Sequence, residues 1–408
     1  MSSICLNFKV HQPFQLKHYS SKDINVVHCY EDAQADEDMI NRISDCCYIP
    51  ANDLMLQLIK QHEGKFKISY SISGIVLDLF QKYRPDVIDS FRQLTKTGCV
   101  EILAETYYHS LSWLYSKKEF ERQLKKHKEL IKTLFGLETQ VFRNTDLIHS
   151  NRRAKLIASL GYKGLLCEGV DRLLHGRNMN RVYAAPDVPN FGLLLRNASL
   201  SNDIAFRFGE EHWSEYPLTA EKFAGWIHEH SGDSEVINLF MDYETFGMHK
   251  RESSGIFDFL EHLPAAVLKN ENFGFSLPAE VLANIAPKDI YDVQETISWD
   301  DKGKECCVWC ENMMQNNTLK KIYSLEKIVL ASQDETIIDV WGRLQTADYF
   351  YYMADKHTAG NYVNPFESAK EVFEYFTNIT TDFEISMIKR ELDKRKRQIF
   401  SSIKAMLF

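Results

Sequence analysis

A chain of 408 residues with 44% apolar and 12% aromatic side chains can fill one large core and a smaller one, and 18 Gly and 10 Pro exclude a low-complexity or disordered class. Its formal charge of -9 excludes a whole-chain field drawing it to nucleic acid or an anionic membrane, so a neutral substrate such as a sugar is the easier partner. Nine irregularly spaced cysteines, no basic-then-apolar leader in "MSSICLNFKVHQPF" and no apolar run of about 18 residues predict a cytoplasmic chain with reduced thiols and no membrane span.

In chain order, short apolar runs rich in β-branched residues recur at "SICLNFKV", "KFKISYSI", "GCVEILAE", "TQVFRN", "YKGLLCEG", "FGLLLRN" and "VINLFMDYE". Between them, helical periodicity predicts helices at Ala51 to Gln61, from Ile75 through Phe80 onward, Lys117 to Phe135, Arg152 to Leu160 and Leu218 to His230. A further strand and helix are expected at "FGFSLPAEVLANI", with Ser276 as the cap and Pro278 in the first turn. Seven strands alternating with helices predict a closed or nearly closed α/β barrel; no GxGxxG follows the first strand, which speaks against a dinucleotide fold.

After roughly Asp300 the pattern becomes helical, from Lys304 to Leu319, Leu325 to Ala331, Thr336 to Met353, Ser368 to Phe376 and Thr381 to Met406. The expected division is a barrel over residues 1–300 and a helical domain over 301–408, joined by a packed interface. The cluster Lys394-Arg395-Lys396-Arg397, with Glu391 and Asp393 beside it, reads as a solvated helix face. Cys307-Val-Trp-Cys310 lacks a second pair at zinc spacing and reads as structural.

Working residues of α/β barrels stand at the C-terminal ends of the strands, where the loops converge on one mouth. Here the runs end in His11-Gln12-Pro13, Glu105 with Tyr107-Tyr108-His109, Arg143-Asn144-Thr145-Asp146, Glu168, Arg196-Asn197 and Asp242-Tyr243-Glu244. Such a mouth suits glycosidic bond cleavage, which needs one carboxylate at the anomeric carbon and a second, protonated one at the leaving oxygen. Phosphoryl transfer lacks a glycine-rich cradle, and serine or cysteine nucleophiles lack an elbow such as G-x-S-x-G. A metal hydrolase using His11, His109 and a carboxylate is a further possibility, unsupported by any HExxH. Each of these residues also has a plain reading: Glu168 near a helix start, Asp242 and Glu244 in salt bridges, His11 as a satisfied core histidine, Trp299 as core, and His109, Arg143 and Asp348 as supporting residues.

"KVHQPF", "GCVEILAETYYHS", "VFRNTDLIHSN", "LLCEGVD", "NLFMDYETFGMH" and "GRLQTADYFYYM", in this order over nearly the whole chain, resemble glycoside hydrolase family 57, and within it the intracellular α-amylase-like branch. The resemblance implies an incomplete parallel (β/α)7 barrel followed by a C-terminal helical domain that closes one side of the cleft. It also implies retaining chemistry on α-1,4-glucans or maltooligosaccharides, with no cofactor and no metal. Carried over residue by residue, it makes Glu168 the nucleophile and Asp242 the acid/base. Glu244 would support orientation, His11 would sit beneath the sugar at the cleavage point, and His109, Arg143, Trp299 and Asp348 would line the substrate sites, the last two from the helical part. The expected activity is that of an α-amylase. A 4-α-glucanotransferase, a branching enzyme or a catalytically silent glucan-binding homologue are the alternatives, and the sequence assigns no oligomeric state.

Overall fold

β1 (Ser2–Val10) is buried along nearly its whole length, as a near-continuous apolar run must be at the centre of a parallel sheet covered on both faces. The computed structural model, which describes residues 2–299, 308–354 and 365–407, sets β1 parallel to β2 (Ile68–Ile72) on one side and to β8 (Val236–Asp242) on the other. β2 continues in parallel to β3 (Val100–Leu103), and β4 (Val141–Arg143) joins β5 (Gly164–Glu168). β6 (Val182–Ala185) and β7 (Val188–Arg196) form an antiparallel hairpin whose second arm runs parallel to β5.

The ring closes through two narrow seams. β3 meets β4 by a bridge between Ala104 and Phe142, with backbone bonds of 2.9 and 2.7 Å, and β7 meets β8 at Arg196 and Asn238. Seven parallel strands thus make the nearly closed barrel that the sequence predicts. Two short strands, β9 (Phe273–Phe275) and β10 (Asp289–Ile290), add to β1 and β6. The arm β6 was not foreseen, because "VYAA" is too short to stand out as an apolar run.

Most expected helices form within a residue or two of their predicted ends; Lys117–Phe135 matches at both, stopped by Gly136 at φ 71°. Ser276 does not cap the helix Pro278–Asn284. Its hydroxyl bonds to Ser3 Oγ at 3.0 Å, Leu277 takes the cap position, and the Glu280 carboxylate accepts the Leu277 N–H at 3.0 Å. The C-terminal part contains the helices Met313–Ser324 and Glu326–Ser332, while the predicted start at Lys304 and the Cys307 half of the CxxC pair lie outside the described residues.

The single helix expected from Thr336 to Met353 is two, Glu335–Arg343 and Ala347–Tyr351. A tertiary bond divides them: the Ala347 N–H donates to the His109 carbonyl at 2.9 Å beside a bridge between Ser110 and Thr346. Conversely, the two helices expected at Ser368 to Phe376 and Thr381 to Met406 are one, Ala369–Leu407. The hydroxyls of Thr380 and Thr381 bond back to the Thr377 carbonyl at 3.1 and 2.7 Å, so two β-branched residues sit in the helix without ending it.

The helical part has its own apolar core around Trp309, Trp341, Phe350 and Phe376, into which the barrel segment sends Tyr19, Tyr30, Leu111 and Ile148. Polar contacts stitch the two together, Lys126 to Asp339 at 2.6 Å, Tyr108 to Asp339 at 2.7 Å and Arg343 to Glu31 at 2.8 Å. Among the described residues no helix is long and apolar enough to cross a membrane.

Candidate active site

His11 follows directly on β1 and is held from both ring nitrogens. Nδ1 lies 2.8 Å from the hydroxyl of Ser73, which caps the helix Gly74–Tyr83, and Nε2 lies 2.8 Å from Asp348. Burial, reinforced by His109, pushes His11 down to about 4, so at neutral pH the ring is uncharged. The partners then set its tautomer: Nε2–H donates to the Asp348 carboxylate and Nδ1 accepts from Ser73. Burial alone would raise the Asp348 carboxyl, yet the contact with His11, with His109 and Lys9 nearby, holds it down to about 2.

His109 stacks on His11, ring centroids 3.9 Å apart. Its Nδ1 is 3.2 Å from Glu105 and its Nε2 3.8 Å from Asp146. Burial would lower His109, but Asp146 and Glu105 outweigh it and raise it above its ordinary value. Two stacked imidazolium rings would repel, and of the two His109, between two carboxylates, is the better placed to carry a charge. Opposing the burial of its own carboxyl, the partners of Glu105, His109 and Arg143 foremost, hold it down to about 2, and Asp146 is held well below the usual carboxylate range by His109 and Lys9. Arg143 Nη1 stands 3.5 Å from Glu105, and Trp299 Nε1 donates to Asp146 at 3.2 Å. His109 and Asp146 both adopt left-handed backbone, φ 50° and 51°, a strain of about 1–3 kcal/mol each that surrounding structure must over-determine and that concentrates at functional sites.

β8 delivers Asp242 at its last residue, in register with Lys9 of β1, and the Lys9 ammonium stands 3.0 Å from the Asp242 carboxylate. Burial would lower Lys9, yet Asp242 and Asp146 raise it, so the lysine keeps its charge inside the barrel. Glu244 sits on the short turn Tyr243–Thr245 and is buried. Its Oε1 accepts from the Tyr48 hydroxyl and, at 3.3 Å each, from the His11 N–H and Gln12 Nε2. Burial, and then the charge of Asp242, push its carboxyl up to about 7. The chain turns away at Gly247, φ 106°, while Phe246 packs edge-on against Phe8 at 5.6 Å.

Glu168 closes β5 and is fully buried. Arg196 Nη1 lies 3.4 Å from both its oxygens, while Arg196 Nε donates at 2.9 Å to the Phe240 carbonyl, two residues before Asp242 on β8. One guanidinium therefore ties the strand carrying Glu168 to the strand carrying Asp242. A cavity of about 510 Å³ opens over Lys9, His11, Gln12, Asp242, Glu244 and Asp348. Glu168 is not among its lining residues. A much smaller pocket beside it is lined by His109, Asp146, Trp299, Trp309, Tyr351 and Asp348.

Of the residues singled out in the sequence, His11, Asp242, Glu244 and Asp348 converge on the cavity, with His109 stacked beneath His11. Arg143 reaches them through Glu105, Trp299 through Asp146, and Glu168 pairs with Arg196, neither of them lining the cavity. Trp299 packs against the apolar cluster that holds Cys5, Leu147 and Phe240 of the barrel segment, so it belongs with the barrel and not, as expected, with the helical part. Sequence reasoning missed Lys9, Ser73 and Tyr48. Lys9 was legible: it interrupts an apolar strand two residues before His11, hence on the same side. Tyr48 carried no signal.

One group of potential metal ligands exists among the described residues: atoms of His11, His109 and Asp348 all lie within 4.8 Å of one another. Their chemistry does not suit a cation. The positive charges of Lys9, acting on His11 and Asp348, and of Arg143, acting on His109, oppose a further cation among these three side chains.

The description "Glycosyl hydrolase family 57" belongs to a family model that matches residues 5–294. A putative alpha-amylase of Methanocaldococcus jannaschii is 36% identical over 415 aligned positions, covering 97% of this chain and 88% of that protein. Among solved structures, a 4-alpha-glucanotransferase from Thermococcus litoralis superposes with a TM-score of 0.70 at 14% identity over 94% of this chain; the chain spans 60% of that protein's length. A branching enzyme from Thermococcus kodakaraensis gives 0.68 at 13% identity, covering 94% of this chain and 89% of the other, and an alpha-amylase from Thermotoga maritima 0.63 at 12%, covering 97% and 94%. With the motifs, the barrel and these likenesses together, the chain belongs to glycoside hydrolase family 57.

Proposed function

We propose that the protein cleaves α-1,4-glucosidic bonds of glucans or maltooligosaccharides with retention, as an α-amylase. The observation that carries the reading is that two carboxylates stand at strand ends, Asp242 lining the cavity and Glu168 on β5, whose partner Arg196 also bonds the strand of Asp242 through the Phe240 carbonyl. Glu168 attacks the anomeric carbon as the bond to the leaving oxygen breaks, and Asp242, which must first take up a proton against its pairing with Lys9, gives that proton to the leaving oxygen. Asp242 then takes a proton from water as the water oxygen displaces Glu168 from the anomeric carbon. Retention calls for carboxyls about 5 to 5.5 Å apart, so Glu168 must become reachable when a sugar enters. The rigid end of β8 suits the proton donor, because displacement by an ångström or so costs much of the benefit of proximity. His11, His109, Arg143, Glu244, Trp299 and Asp348 are assigned to holding the substrate, directly or through the carboxylates they orient.

Transfer on the same scaffold is the second reading, favoured by the similarity to a glucanotransferase and a branching enzyme. The two differ in whether water or a sugar hydroxyl resolves the glycosyl-enzyme. The test incubates wild type, Glu168→Gln and Asp242→Asn with maltoheptaose and soluble starch. Both variants are expected to stay folded and to lose about 10³-fold or more in kcat. New reducing ends identify hydrolysis, and chains longer than the substrate identify transfer. Full activity in Glu168→Gln would reduce Glu168 to a structural partner of Arg196. A chelator is expected to leave the rate unchanged, and its abolition by a chelator would return the metal-hydrolase reading.

A further inference from the structure

The helix Ala369–Leu407 changes the side on which it is apolar. Val372, Phe376, Ile379, Phe383 and Met387 recur every three or four residues and are buried in the helical core. From Ile388 onward the apolar positions move: at about 100° per residue, Ile388, Leu392 and Ile399 fall within an arc of about 40° whose centre lies roughly 160° from the buried stripe. These residues are 46%, 50% and 59% exposed, and Phe400, next in sequence to Ile399 and about 100° round the helix from the arc's centre, is 71% exposed. The sequence keeps an apolar residue in the same register at 403 and 406.

This half of the helix also leaves the body. Lys389 still reaches Asn25 at 3.0 Å and Arg390 reaches Asp334 at 3.3 Å. Beyond them the ion pairs of the described side chains stay within the helix, Arg395 with Glu391 at 3.0 Å and Lys396 with Asp393 at 3.9 Å. In a chain of net charge -9, residues 388–402 carry Lys389, Arg390, Lys394, Arg395, Lys396 and Arg397 against Glu391 and Asp393. The local sign is opposite to that of the whole.

Charge decides what can cover this face. Arg395 and Lys396 flank the apolar arc on its two sides, so an antiparallel pairing with a second copy would bring like charges together at its centre. On an anionic lipid surface the same residues face opposite charge, and their long stems let the heads reach phosphate while the arc enters the acyl boundary. We propose that the helix from Ile388 onward is a surface anchor that lies flat on a bilayer containing anionic phospholipid. It neither spans the bilayer nor contributes to the barrel's chemistry.

The test is flotation of the full chain with vesicles of phosphatidylcholine alone and of phosphatidylcholine mixed equally with phosphatidylglycerol, at low and high salt. Binding is expected to the mixed vesicles only, and to weaken with salt. Ile399→Asp with Phe400→Asp, and separately Lys394→Glu with Arg395→Glu, should each weaken it by about tenfold or more with starch-degrading activity and far-UV circular dichroism unchanged. The proposal is overturned if wild type floats with neither vesicle, or if the Ile399/Phe400 variant binds as tightly as wild type. It is equally overturned if wild type is a dimer that this variant converts to monomer, because a second copy then covers the face.

Discussion

Glu244 shows at residue scale how burial converts a carboxylate into a pH-sensitive group. Its ordinary value is 4.5 and the folded site pushes it up to about 7. Below 4.5 both the folded and unfolded chains hold the proton, and the folded state keeps its full advantage. As pH rises toward 7 the unfolded chain sheds its proton first, stability falls, and above about 7 the loss is complete. Glu244→Gln removes this dependence while its amide oxygen still accepts from Tyr48 and the His11 N–H. The urea midpoint of the variant should therefore decline less than that of wild type between about pH 5 and 8, with a higher KM for maltoheptaose. Asp36 and Glu101, also pushed up to about 7 by burial, leave a residual slope in both proteins. An equal slope in variant and wild type would show that Glu244 ionises as freely folded as unfolded. Of the two causes, Asp242 stands within "DYETFG", but the larger one, burial of the turn, depends on groups distant in sequence, so the motif by itself did not foretell the shift.

At the scale of elements, strand ends and the turns after them set the geometry. Gly247 lets the segment after β8 double back under the site at φ 106°, and a Cβ there would meet the Cys46 carbonyl oxygen at 1.8 Å. Gly247→Ala is accordingly expected to cost about 3 kcal/mol or more and to lower activity together with Tm, because the backbone that must shift also carries Glu244. An unchanged melting temperature would show that the turn relaxes freely. The division of the helix predicted from Thr336 to Met353 makes the same point in reverse. Its period is helical throughout, yet Ala347 breaks off to bond the His109 carbonyl, and the break brings Asp348 against His11. Periodicity alone could locate the helix but not the interruption, since the bond that causes it spans more than two hundred residues.

For the whole molecule, the site is shared between the barrel and the helical part. Asp348 comes from one and His11, His109 and Asp146 from the other, while Tyr19 and Tyr30 of the barrel segment fill the helical core. Dividing the chain at residue 300 into two domains therefore describes the elements better than the stability. A truncated chain of residues 1–299 should fail to give a cooperative thermal transition, because Tyr19, Tyr30, Leu111 and Ile148 lose their cover and His11 loses its carboxylate. A barrel fragment melting within a few degrees of the full chain would show two independently stable units. The charge of the molecule is likewise uneven: a chain acidic overall ends in a basic helix, and the whole-chain balance that argued against an anionic surface hides the part that fits one.

The seven parallel strands, the barrel and the acids at the ends of β5 and β8 were legible in the sequence itself, because period-2 and period-3.6 burial is written in local composition and the strand-end rule follows from it. The family was likewise legible in six ordered motifs. The tertiary structure decided which of those residues meet, and in what charge state. Lys9 opposite Asp242, the stacking of His11 on His109, Arg196 between the strands of Glu168 and Asp242, and the delivery of Asp348 all depend on contacts between residues far apart in the chain. Desolvation and ion pairing act through space, and a linear pattern carries no record of which distant groups share the same low-dielectric interior.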